Sequence, residues 1–424
     1  QPWDLHLFQE SVAVFRYRSV DKILMEMKRY ILALAALPLL TSSCWRDDTP
    51  ESQLVPDFVI SIVYGSYGVT EDFPGPVEVT MTNTTEQFTY RFTSGMDGKL
   101  KVEDVMPGHY TVTASGSIDG THLSGFISSL TLKLGRAPEN EVINLFAVAS
   151  SPVIFKELYY AGSETPTSGT YRNDNFFSVY NNSGSPVDIS DLYIGMNENY
   201  GGLGEAGPLW PGETAGAYRH VYLRSVWKIV AGNGKKEIAP GQTIVIAAMA
   251  APHNKDAAYN LASPVDLSGA DYEAYVQDPE NKYPDLPAPD MEMAFWPDYA
   301  YLWRSSVFGQ GMVLVRASRE EFASFETAVL PETFQDPFES EEYWKCLKVP
   351  YGYVVDAVDV IQNEMATSTK RFSPEIDAGY ATVGKTYCGY SVRRRTIPSA
   401  GLPRLMDTNN STADFEVNTK PLSE

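Results

Sequence analysis

The chain has 424 residues, 43% of them hydrophobic and 12% aromatic, enough to build packed cores in two or three domains. Against 33 basic residues stand 54 acidic ones, a formal net charge of −21, which argues against nucleic acid as a partner because phosphate binding relies on Lys and Arg to displace counterions. Tyr (26), Gly (31) and Pro (28) are abundant, a mix that favours strands joined by turns and excludes a disordered chain.

Residues 1–24 precede a candidate start at Met25 or Met27 and read as an over-extended gene start, with a genuine short leader as the alternative. Over residues 25–43 the basic pair Lys28-Arg29 leads into an apolar run from Tyr30 to Leu40, then the small residues Thr41, Ser42 and Ser43, then Cys44. The apolar core is too short for a stable span and is followed by a small-residue cleavage zone. This layout resembles a bacterial lipoprotein signal, with Thr41 standing where an aliphatic residue is commoner. The resemblance implies cleavage before Cys44 and acylation of its sulfur, which would anchor the chain to a membrane. Arg46-Asp47-Asp48 resembles the acidic export signal of surface-exposed lipoproteins in the Bacteroidota, a solvated acidic linker being the alternative, and residues 44–56 form the lipidated linker. No later stretch approaches the roughly 18 apolar residues of a spanning helix.

A first domain is expected over residues 57–148. Asp57–Tyr64 (DFVISIVY) is apolar and β-branched, Pro76–Met81 (PVEVTM) alternates, and Gln87–Thr93 follows. Asp97-Gly98 and Pro107-Gly108 supply turns, and Tyr110 and Val112 face the core of the next strand. This pattern resembles the carboxypeptidase regulatory-like domain, a small Ig-like or transthyretin-like sandwich, which implies a structural module without catalytic residues.

The body is expected over residues 151–424. Val153–Gly162, Asp174–Asn182 and Val187–Gly195 read as strands, with Asn182-Ser183-Gly184-Ser185-Pro186 as a hairpin-grade turn. Pro240-Gly241 turns into the apolar strand Ile244–Ala247. A strand ending in Tyr-Asn, a polar turn with Pro and then Val187-Asp188-Ile189-Ser190 resembles the lamin-tail domain, an Ig-like β-sandwich. Residues 251–363 have no place in a minimal lamin-tail sandwich and are expected as an insertion. Within it, Ser263–Tyr275 reads as a short helix capped by Ser268, Arg319–Phe325 as a second helix, Met312–Val315 as a buried strand and Tyr351–Ile361 as β-rich. The fold class is therefore all-β. Signal, small sandwich and enlarged lamin-tail-like body together resemble an uncharacterised family of Bacteroidota surface lipoproteins, which implies association with TonB-dependent outer-membrane receptors.

Few residues cluster in a way that carries chemistry. Gly379–Thr386 fits G-x4-G-K-T, but a P-loop needs a strand before it and a helix after it, and here Tyr387–Val392 is β-prone. Five histidines are scattered, and His253 reads as a hydrogen-bonded loop residue. The aromatic stretch holding Phe295, Trp296, Tyr299, Tyr301 and Trp303 offers a platform for a carbohydrate or protein partner, or else divides between core and loop cover. Asp285, Asp290 and Asp298 sit in a proline-rich acidic loop where oxygens could hold Ca²⁺, without EF-hand regularity and with a solvated loop as the alternative. Cys346 and Cys388 form either one disulfide or two buried thiols. Arg393-Arg394-Arg395 reads as strand-end charge paired with the acidic body.

The expectation is a non-enzymatic lipoprotein, lipid-anchored at the outer membrane and exposed at the cell surface, without a resident cofactor and acting as accessory or ligand-binding partner of a TonB-dependent-type receptor barrel. A stand-alone adhesin or structural surface protein is the first alternative. A secreted hydrolase is the second, since lamin-tail-like domains also accompany secreted nucleases and phosphatases.

Overall fold

The computed structural model describes residues 53–64, 75–83, 85–86, 88–118, 121–147, 151–198, 207–214, 218–230, 235–297, 299–335, 338–397 and 402–423. The expectations for Cys44 and the signal before it, and for Asp298, lie outside the described residues.

In the first domain, Phe58–Tyr64 alternates buried and less buried residues from Phe58 to Ile62, and Lys99–Val102 repeats the alternation, so each strand presents one face to a core. Seven strands run in the order Thr89–Thr93, Glu78–Asn83, Gly108–Ile118, Thr121–Leu132, Glu141–Ala147, Phe58–Tyr64, Lys99–Val102. Phe58–Tyr64 lies parallel to Glu141–Ala147, and the other pairings are antiparallel. Ile60, Val79, Met81, Tyr110, Val112 and Ile143 fill the core, whose buried residues all come from Val55 to Leu145. The core between the sheets of the body begins at Val153.

The body packs two sheets face to face. One runs Tyr272–Glu273, Thr243–Ala247, Phe176–Asn181, Val153–Tyr159, Ser391–Arg394, Phe415–Asn418. The other runs Glu326–Val329, Lys345–Pro350, His220–Lys228, Leu192–Asn197, Met312–Arg316, Val354–Val358, with Glu292–Phe295 also on His220–Lys228. Leu192, Ile194, Met196, Met312 and Leu314 enter the core between the sheets, while Tyr193, Val313 and Val315 enter a second core on the outer face. Period-two alternation with both faces covered is why Leu192–Asn197 is buried throughout and shows no polar alternation in its sequence. The outer face is covered in part by the short helix Arg319–Ala323, whose Ser318 and Glu321 form a reciprocal capping box and whose Phe322 stacks on Tyr193 at 4.2 Å.

Two expectations need correction. Residues 251–363 are not an appendage: Glu292–Phe295, Met312–Arg316, Glu326–Val329, Lys345–Pro350 and Val354–Val358 all belong to the second sheet. Ser263–Tyr275 is not a helix capped by Ser268. Asp266 Oδ1 accepts both the Ser268 N–H (3.0 Å) and its hydroxyl (2.7 Å), Leu267 N–H donates to Ala251 O at 2.9 Å, and the chain continues as the strand Tyr272–Glu273. Local capture of the backbone by an aspartate competes with a helical turn. Arg319–Phe325 forms a helix over its first five residues, and Met312–Val315 is a strand as expected.

Cys346 and Cys388 are both thiols. Cys346 packs with Trp210, Tyr222, Leu330 and Trp344, whereas Cys388 lies against the core between the sheets, so the single bridge is set aside. Alkylation in denaturant without reductant is expected to label both, and intact mass checks it: two labels missing at these positions would mark a bridge.

Candidate functional site

One well-formed concavity is a cleft of about 560 Å³ where the first domain meets the body. Its construction begins with a turn. Trp210-Pro211-Gly212-Glu213 is closed by Glu213 N–H donating to Trp210 O at 3.1 Å, with Gly212 at φ +81°, the arrangement of a type II turn with Pro and Gly at its central positions. The turn lays the Trp210 ring parallel on Tyr222, centroids 4.0 Å apart, and aims the Glu213 carboxylate at the start of the strand His220–Lys228. Glu213 Oε1 accepts from the Tyr222 hydroxyl at 3.0 Å and lies 2.6 Å from His220 Nδ1, while Oε2 accepts the Arg219 N–H at 2.9 Å. Burial works against the ionised Glu213, but these donors outweigh it and hold its pKa below the ordinary range. The buried carboxylate fixes the histidine so that its Nδ1–H points at Glu213. Among the described residues no Ser, Cys or Asp hydrogen-bonds to Nε2.

The facing wall is set by another buried carboxylate. Asp359 Oδ2 accepts from Lys370 Nζ (3.2 Å), Arg371 N–H (2.8 Å) and Phe372 N–H (2.9 Å), which folds the loop after Thr367–Thr369. Arg371 then reaches Glu198, Nε to Oε1 at 2.8 Å, with both side chains almost fully buried. Burial pushes the Glu198 pKa up and the Arg371 guanidinium opposes it. The first domain contributes Phe126, Ile127 and Val142, and Lys370 Nζ lies 5.5 Å over the Phe126 ring. The result is an aromatic wall, two buried ion pairs, an oriented histidine and an apolar lip. That combination suits a small polar ligand with an apolar face, held by rings and a few fixed hydrogen-bonding groups.

Of the residues weighed in the sequence, His220, one of the five scattered histidines, lines this cleft, and none of the aromatic, acidic or cysteine candidates does. Trp303 is core: its Nε1–H donates to Ser225 Oγ at 2.8 Å and its ring meets Phe177 and Trp227. Phe295 and Trp296 pack partly buried on the two body cores, and only Tyr299 (51% exposed) and Tyr301 (39%) offer much ring surface to solvent. The stretch therefore divides between core and cover and is not one platform. Asp285 and Asp290 do come together, with Glu273 as their third member: one oxygen from each lies within 4.8 Å of the others. Burial and then the neighbouring charges push Glu273 and Asp290 above the ordinary carboxylate range, although Glu273 has its oxygens held by the Ala250 and Leu286 N–H groups at 3.0 Å each. These three carboxylates could hold a hard cation. Glu273 escaped notice because it fell in the stretch read as a helix.

The remaining motifs resolve structurally. His253 is buried, with Nδ1 accepting from the Tyr171 hydroxyl at 2.8 Å and Nε2 donating to Met249 O at 3.0 Å, and burial pushes its pKa down to about 4. In Gly379–Thr386 the amides are engaged internally: Gly379 N–H by Asp377 (2.9 Å), Val383 N–H by the Tyr160 hydroxyl (2.9 Å) and Gly384 N–H by Thr382 (3.0 Å), with no helix at Lys385 and Thr386. Arg394 and Arg395 pair with the acidic body as expected, Arg394 with Asp356, Asp407 and Asp414, and Arg395 with Glu416.

Residues 239–422 match the family model described as protein of unknown function DUF4876. Among solved structures, the chain is similar to a DUF4876 family protein from Bacteroides thetaiotaomicron at 27% identity and a TM-score of 0.55, covering 87% of this chain and 96% of that one. It is also matched to a candidate adhesin from Bacteroides ovatus at 9% identity and a TM-score of 0.18, covering 66% and 84%, a likeness that carries no argument. No curated protein matches it. The DUF4876 match takes in the Lys370 and Arg371 wall of the cleft and the Arg394 network, while the Trp210, His220 and Tyr222 wall lies before it. What sequence reasoning missed is that second wall, whose signal is the Trp-Pro-Gly-Glu turn followed by Tyr218, His220 and Tyr222 on one strand parity.

Proposed function

We propose that the protein is a non-enzymatic lipoprotein of the outer membrane, lipid-anchored through Cys44 and exposed at the cell surface, that holds a small polar ligand in the cleft and serves as an accessory partner of an outer-membrane receptor barrel of the TonB-dependent type. The observation that carries the binding role is the cleft itself: its aromatic wall, its Arg371–Glu198 pair and its Glu213-oriented His220 are each held by contacts within the chain. Preformed polar groups in a half-apolar concavity favour binding because little ordering remains to be done when a ligand arrives. The anchor and the receptor rest on the likeness of residues 25–48 to lipoprotein signals and of the whole to receptor-associated surface proteins.

Two experiments test the two halves. Mild detergent extraction of the native host should bring down a barrel protein in stoichiometric amount, and Cys44→Ala should release the chain from membranes. A lone protein that binds host matrix would replace the accessory role with adhesion, and phosphoesterase or nuclease activity lost with chelator would replace it with hydrolysis. For the cleft, a panel of mono- and disaccharides and amino acids screened by thermal shift should contain a stabilising compound. His220→Gln is expected to weaken that compound about tenfold, the loss of one hydrogen bond to a charged or polarised group. An unchanged affinity would move the ligand out of the cleft.

A further inference from the structure

Outside the cleft, two arginines of the body stand beside one another, neither with a carboxylate at ion-pair distance among the described residues. Arg319, Arg371, Arg394 and Arg395 each have a carboxylate at ion-pair distance. Arg172 and Arg304 have none among the described residues, in a chain whose net charge is −21. Arg172 is exposed, but Arg304 is half-buried, and a cation withdrawn from water without a counter-charge is costly to keep.

The geometry holds the two together. Arg304 Nη1 donates to Asn173 Oδ1 at 3.0 Å, which fixes the guanidinium beside the residue that follows Arg172. Burial and the nearby Arg172 charge both lower the Arg304 pKa, while the Tyr283 and Tyr387 phenols oppose them. Tyr387 is itself held in the left-handed region at φ +52°, its N–H donating to Ala161 O at 2.7 Å. Its ring and the Arg172 Cβ both crowd Gly162, where a Cβ would meet them at 3.2 and 3.3 Å. A non-glycine residue keeps such a backbone only where its surroundings impose it. Lys282 Nζ, 5.4 Å over the Tyr283 ring, adds a third cation to the same neighbourhood.

We propose that Arg172 and Arg304, flanked by Tyr283 and Tyr387, form an oxyanion-binding site that takes a sulfate, phosphate or carboxylate group of a ligand. The planar guanidinium fork matches the paired oxygens of these groups, phenol hydroxyls can complete the contacts, and a bound anion would supply the missing counter-charge. None of these residues lines the cleft between the domains, so this site stands or falls independently of the ligand proposed there.

The test titrates the full chain with sodium sulfate, sodium phosphate or sodium acetate at constant ionic strength set with chloride, read by thermal shift and calorimetry. At least one of the three is expected to raise the melting temperature saturably, and which one does so identifies the preferred group. Arg304→Gln and Arg172→Gln should each weaken that binding roughly tenfold or more, while Arg136→Gln on the first domain leaves it unchanged. If Arg304→Gln does not fold, Arg172→Gln decides alone, because its side chain is exposed. A response no greater than that to chloride, or one that survives both substitutions, overturns the proposal.

Discussion

Replacing Arg394 with Gln is expected to destabilise the body by about 3–5 kcal/mol at neutral pH, the cost of removing one partner from a buried ion network. Arg394 is buried and makes five contacts of known length: to Phe155 O (2.8 Å), Met406 O (2.9 Å), Asp356 (2.7 Å), Asp414 (3.1 Å) and Asp407 (3.3 Å). These tie the first strand of the body, the strand Val354–Val358 of the opposite sheet and the turn Ser411–Asp414 to one guanidinium. Asp356 also accepts the Phe155 N–H at 2.6 Å, and Asp414 accepts from Thr408 at 2.9 and 2.7 Å, so the carboxylates cannot swing away when the cation is gone. Burial pushes the Asp356 pKa up even with the arginine present, and the carboxylates in turn raise that of Arg394 above its ordinary value. In the variant the carboxyl groups would have folded pKa values above their unfolded ones, so their penalty is present at neutral pH and falls away as pH drops and protons replace the guanidinium. Urea midpoints of the two proteins should therefore differ more at pH 7.5 than at pH 5. Equal midpoints at pH 7.5 would show that the network contributes nothing that Gln cannot.

Asp174→Asn is expected to act in the opposite sense with pH. Asp174 Oδ2 accepts hydroxyls from Ser163 (2.7 Å), Ser263 (2.7 Å) and Tyr159 (3.2 Å), while its buried Oδ1 has no partner among the described residues. Burial pushes its pKa up to about 6 from 3.8, and the hydroxyls only moderate that rise. The folded state thus favours the protonated acid. Its contribution to stability is fully present below the unfolded pKa and is lost as pH rises through about 6, a span worth about 3 kcal/mol. Asparagine keeps an oxygen for the three hydroxyls and carries no charge to bury. Its stability relative to the parent should improve by about 2 kcal/mol between pH 4 and pH 7.5, measured by chemical unfolding at several pH values. A difference that does not move with pH would mean that Asp174 titrates alike in the folded and unfolded chains, as it would if water reached Oδ1.

The strands were legible in the sequence to different degrees. In Phe58–Tyr64 and Lys99–Val102 one face is buried and the other is not, so the strands announce themselves by alternation, and the core boundary follows. The second sheet of the body gave no such signal. Leu192–Asn197 and Met312–Arg316 are buried on both faces and pair across more than a hundred residues, Ile194 opposite Leu314, so neither periodicity nor proximity in the chain reveals the partnership. The candidate cleft failed to show for a related reason. His220 and Glu213 are meaningful only because the turn Trp210–Glu213 brings them together, and Arg371 only because Glu198 lies under it. Asp285 and Asp290 were visible as a local acidic loop, while Glu273 reached them from a strand whose pairing is parallel and non-local.

The closure of the first body sheet sets an order of events for folding. Val153–Tyr159 pairs with Ser391–Arg394 through Leu158 with Val392 and Glu157 with Arg393, and Ser391–Arg394 pairs in turn with Phe415–Asn418. As the chain emerges from a ribosome or a translocation pore, the first domain can complete its core early, but one edge of Val153–Tyr159 stays open until nearly all of the body has followed. An open edge of that kind invites pairing with other chains. Assembly of the body therefore waits on residues 391–418, and truncation before residue 391 should leave an aggregation-prone product even though the first domain is intact.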